Sequence, residues 1–72
     1  MSGKYPLLAP REIIAALQKA GFVFRSQRGS HAKYCKDSRS VIIPIHNEIA
    51  RGTLRSILRQ ACIELADFLE LL

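Results

Sequence analysis

The apolar residues change their period twice along this chain, and that alternation constrains its fold more than any other feature. Ile13, Ile14, Leu17 and Ala20 recur at helical spacing and make one apolar stripe. Leu54, Ile57, Leu58 and Ala61 repeat at i, i+3, i+4 and i+7, the pattern of an amphipathic helix. Leu65, Phe68, Leu69 and Leu72 continue it as a shorter helical tail. Between the stripes lie short runs rich in aromatic and β-branched residues, which read as strands. The expected order is helix, three antiparallel strands, helix and a C-terminal helical extension. Helices flanking a strand meander pack on one face of its sheet, so the fold class is an α+β two-layer domain. The other sheet face is left open for a partner.

The boundaries follow from local chemistry. Met1 to Leu8 reads as a lead-in, and Pro10 suits a first helical position, where its missing N–H has no intrahelical partner anyway. Gly21 sits where a helix closes in a left-handed conformation. Phe22-Val23-Phe24-Arg25 begins the first strand, Arg28-Gly29 gives a turn, and a second strand runs from Ser30 to Lys36. Asp37-Ser38-Arg39 reads as a hairpin loop without the glycine that tight turns prefer. Ser40 to Ile43 forms the third strand, closed by Pro44, which cannot donate to a ladder. Ile45 to Gly52 is a loop. The 72 residues suffice for a single domain, 1–72, and 49% apolar against 24% charged residues favours a folded chain over a disordered one.

Lys and Arg number 11 and Asp and Glu 6, a formal charge of +5 that favours polyanionic partners. Nucleic acid and acidic protein lead; a solvated basic surface that aids solubility also fits. Cys35 and Cys62 lack the short spacing of a metal pair and are expected as free thiols in a reducing compartment. Residues 1–10 contain no apolar core of a secretion signal, and no run approaches the ~18 apolar residues of a membrane span. A cytoplasmic protein with no membrane association is expected.

Two histidines, His31 and His46, are the side chains suited to moving protons near neutral pH. His31 leaves the Arg28-Gly29-Ser30 turn, with Gln27 and Lys33 close in sequence. Ser30 could hydrogen-bond a phosphate oxygen; a lone histidine at a turn can equally be an ordinary surface residue. Arg51, Arg55 and Arg59 recur every four residues along one face of the second helix, opposite its apolar stripe. Any amphipathic helix needs a polar face, but three arginines in register without an intervening acid favour tracking a phosphate backbone. Phosphate-binding loops, zinc-protease helices and nucleophile elbows are absent. Ser30 and His31 are not parts of a triad, since strand neighbours point to opposite faces. The scattered carboxylates suggest no metal cluster and no cofactor.

Gly21-Phe22, Gln27-Arg28-Gly29-Ser30-His31, Val41-Ile42-Ile43-Pro44 and Arg51-Gly52-Thr53-Leu54-Arg55-Ser56-Ile57-Leu58-Arg59-Gln60-Ala61 together resemble HicA toxins, from about Leu8 to Leu72. The resemblance implies a fold like a double-stranded-RNA-binding domain, mRNA cleavage that inhibits translation, and neutralisation by a HicB-type antitoxin. It places the catalytic histidine at His31, framed by Gly29 and Ser30. Two positions depart from the family pattern: Ala9 offers no side-chain cap to the first helix, and Cys62 replaces a glycine common after the second. The expected chemistry is attack of the RNA 2′-OH on the adjacent phosphate without a metal. His31 acts as general acid or base, while Arg28, Lys33 and Ser30 stabilise the growing charge. His46 is a second proton carrier if the fold brings it near. The alternatives are a non-catalytic module that grips double-stranded RNA by shape and a protein-docking role for the basic face.

Overall fold

A computed structural model describes residues 5–72. The elements run α1 (Pro10–Lys19), β1 (Val23–Arg28), β2 (His31–Lys36), β3 (Arg39–Pro44), α2 (Arg51–Ala61) and α3 (Leu65–Leu71). The strands form one antiparallel sheet in the order β1-β2-β3, giving the expected α+β architecture consistent with a double-stranded-RNA-binding-domain-like fold.

The sheet has an apolar face and an open one, as strand periodicity requires. Ala32, Tyr34, Val41 and Ile43 are buried against the helices, while His31 and Ile42 are exposed on the other side. α2 packs against β3, and α1 packs against both α3 and β3. Ile13, Leu17, Leu54 and Ile57 fill the space beneath the sheet together with Phe22 and Phe68. Each such side chain contributes about 1.5–3 kcal/mol by leaving water. α3 spans 7 residues, too few to persist alone, and the fully buried Phe68 ties it to the domain.

Helix ends are satisfied in ways that composition conceals. Ala9 has no side-chain acceptor, so the lost cap is half replaced: its own N–H donates to Glu12 Oε1 at 2.8 Å. At the other end, cations cap carbonyls. Lys36 Nζ donates to the Ala20 carbonyl at 2.7 Å, Arg39 to the Ala61 carbonyl at 3.4 Å and Lys19 to the Leu71 carbonyl at 3.1 Å. Each places positive charge at the negative end of a helix. α2 stops at Ala61 because Cys62 adopts the left-handed conformation itself, at φ 59° and ψ 40°. Asp37 does the same at φ 55°, which lets β2 and β3 join through two residues rather than the expected three.

β1 is an outer strand, exposed along its length. Its ladder with β2 contains an irregularity at Arg25, an extra residue between the pairs Phe24↔Tyr34 and Ser26↔Lys33. The extra residue reconciles two requirements. Phe24 stays against Tyr34, ring centroids 5.6 Å apart and edge-on, while Arg28 remains opposite His31 at the turn.

Candidate active site

The β1–β2 turn is held from both sides. Gly29 takes φ +60°, with open space where a β-carbon would stand. Gln27 Nε2 donates to the Gly29 carbonyl at 3.0 Å, and the Ile45 N–H donates to the Ser30 carbonyl. His31 therefore leaves a pinned turn at the start of β2, exposed on the open sheet face.

Register decides what surrounds it. Across the open face, Arg28, His31 and Pro44 stand in one row, and Ser26, Lys33 and Ile42 in the next. Five of these six line a shallow hollow: Ser26, Arg28, His31, Lys33 and Ile42. Successive side chains on one face of a strand stand ~6.6 Å apart. The hollow thus presents an imidazole, two cations, a hydroxyl and an apolar side chain within the span of a nucleotide or two. Such a set can transfer protons and stabilise charge on a phosphate.

A comparison with protein-family models matches residues 10–63 of the 72 to the HicA toxin of bacterial toxin–antitoxin systems. The chain belongs to the HicA toxin family. A search of curated proteins found no match. As a HicA toxin it is the toxin of a toxin–antitoxin system, a role that implies a HicB antitoxin as its partner. Among the described residues no helix is long and apolar enough to cross a membrane.

Of the residues that the sequence singled out in this HicA chain, Arg28, His31 and Lys33 meet in the hollow, with Gly29 and Ser30 forming the turn at its rim. Ser30 does not line the hollow; its carbonyl is used to hold Ile45. That bond carries His46, exposed on the next residue, to the turn end of the sheet, the end where His31 stands. The arginine row divides. Arg51 Nε donates to the Tyr5 carbonyl at 2.8 Å, while Arg55 and Arg59 line a groove with Tyr5, Leu58 and Cys62. α2 lies beneath the sheet, so this groove and the hollow belong to different layers of the molecule. Ser26 and Ile42 were not visible as site residues in the sequence: only the pairing of β1 and β3 with Lys33 places them beside it. Cys35 and Cys62 are free thiols. Cys35 Sγ lies 3.5 Å from Ser40 Oγ in the row beyond.

Proposed function

We propose that this HicA toxin is an endoribonuclease, an mRNA interferase that cuts mRNA without a metal ion and so inhibits translation. The observation that carries the reading is the hollow in which His31 stands with Arg28 and Lys33 on the open sheet face. The ribose 2′-oxygen attacks the adjacent phosphorus, and the bond from phosphorus to the 5′-oxygen of the next nucleotide breaks. A 2′,3′-cyclic phosphate and a 5′-hydroxyl result. His31 takes the 2′-hydroxyl proton or supplies one to the leaving oxygen, a role worth ~10²–10⁴-fold in rate. Arg28 and Lys33 neutralise the charge that gathers on the phosphate oxygens. His46, brought to the same end of the sheet, is the candidate for the opposite proton transfer.

The RNA surface in this reading is the hollow and its turn, Arg28, Gly29, Ser30 and Lys33, with Arg51, Arg55 and Arg59 as outlying backbone contacts. The HicB antitoxin neutralises the toxin by protein contact in the cytoplasm, where its mRNA substrate lies. The deciding experiment induces the wild-type chain and His31→Ala in cells and follows growth and RNA integrity. Arrest with RNA fragmentation for wild type alone is expected. Equal fragmentation by both would move the chemistry away from His31. Fragmentation by neither would favour a non-catalytic double-stranded-RNA-binding module. Purified toxin should cut in excess chelator, and an all-DNA strand should survive.

A further inference from the structure

The two rows on the open face are chemically unequal. The row containing His31 holds Arg28 on one side and Pro44 on the other. The neighbouring row holds a hydroxyl, an ammonium and an apolar side chain, Ser26, Lys33 and Ile42, each directly opposite the next across the strands. Ile42 is 40% exposed, an uncovered apolar group beside Lys33. The other open-face serine, Ser40, faces Cys35 in a third row that does not line the hollow. Proton transfer and charge neutralisation at one phosphate require only the first row and the reach of Lys33. Nothing in that chemistry needs Ser26 or Ile42.

From this arrangement we infer that the second row is a subsite for a nucleotide flanking the scissile phosphate, resting on the ribonuclease reading above. The Ser26 hydroxyl binds the flanking phosphate, which the three N–H donors of Lys33 bridge to the scissile one, and Ile42 packs against that nucleotide's ribose and base. The spacing supports this. Rows on one face lie ~6.6 Å apart along β2, about the step between successive phosphates in an extended strand. A compact ammonium beside a hydroxyl donor is also a suitable pair for one anionic oxygen set. The irregularity at Arg25 contributes by letting Ser26 stand opposite Lys33 while Phe24 remains opposite Tyr34.

The test uses the purified full chain and an RNA oligonucleotide carrying one cleavage site mapped in the wild-type digest. Every residue except the scissile one is 2′-O-methylated, so a single bond can be cut. Ser26→Ala should raise KM by on the order of ten- to a hundred-fold, the ratio expected for one hydrogen bond to a charged group, with kcat little changed. Replacing the flanking phosphates one at a time by neutral methylphosphonate should, at one position, raise KM for wild type and abolish the difference between wild type and Ser26→Ala. Ile42→Ala should raise KM independently of that replacement. Ser26 and Ile42 are exposed, so both variants should melt with the wild type, which separates binding from folding. A kcat loss at unchanged KM, or a Ser26→Ala effect that survives both neutral replacements, would overturn the subsite. Failure of the underlying reading looks different: His31→Ala would cut as well as wild type.

Discussion

Replacing Cys62 by glycine should stabilise the protein, and the structure allows the size of the gain to be worked out. Cys62 holds φ 59° and ψ 40°, where its β-carbon crowds the following carbonyl. That crowding costs roughly 1–2 kcal/mol for a residue other than glycine. Glycine removes the cost but gives the unfolded chain more freedom, returning about 0.5–1 kcal/mol. The thiol is exposed, so little apolar burial is lost. The net gain is about 0.5–1 kcal/mol, and for a domain of this size each kcal/mol moves Tm by roughly 4–8 °C. Cys62→Ala is the control, since it removes the sulfur but keeps the β-carbon and should stay near wild type. Thermal unfolding followed by circular dichroism, in reducing buffer to prevent thiol cross-linking, compares the three chains. If Cys62→Gly melts no higher than Cys62→Ala, the conformational account of this helix end is wrong.

Gly21→Ala should act in the opposite direction, because φ is +106° and a β-carbon there would stand 3.1 Å from Lys36 Cε; a loss of about 1–3 kcal/mol is expected in urea titration. Phe68→Ala should cost about 3–5 kcal/mol, and hydrogen exchange should show α3 opening first, since that helix has no other fully buried side chain. Arg28→Ala should weaken RNA binding and reduce the slope of log affinity against log salt by about one. The pair Arg55→Ala with Arg59→Ala should lower cleavage of a short strand less than Arg28→Ala does, because their groove lies away from the hollow; a larger loss would put the substrate path through α2.

The elements themselves were legible because burial leaves a period. Ile13 to Ala20 and Leu54 to Ala61 had to be helices, and the alternation around Tyr34 and Val41 had to be strands with one covered face. Face membership in β1 was not legible, since a single extra residue inverts the alternation and Arg25 carries no sign that it is the extra one. Ser26 was hidden for that reason, and Ile42 because its partners lie on another strand. The helix stop at Cys62 was equally invisible: a non-glycine residue in a left-handed conformation is chosen by the packing around it rather than by its own preference. His46 reached the turn end through one backbone bond, between Ile45 and Ser30, which no spacing rule anticipates.

The carbonyl-capping cations sort the basic residues into two kinds for anyone who would redesign this surface. Lys19, Lys36 and Arg39 are fastened to main-chain oxygens at helix ends, and Arg51 to the Tyr5 carbonyl in the lead-in segment. Reversing their charge would aim a carboxylate at a carbonyl and loosen the scaffold whatever it did to the ligand. Arg11, Arg25, Arg28, Arg55 and Arg59 are exposed and make no such bond among the described residues. An attenuated, easily produced form of the toxin is therefore to be sought by substitutions in the second group, where charge can be subtracted without unfastening a helix.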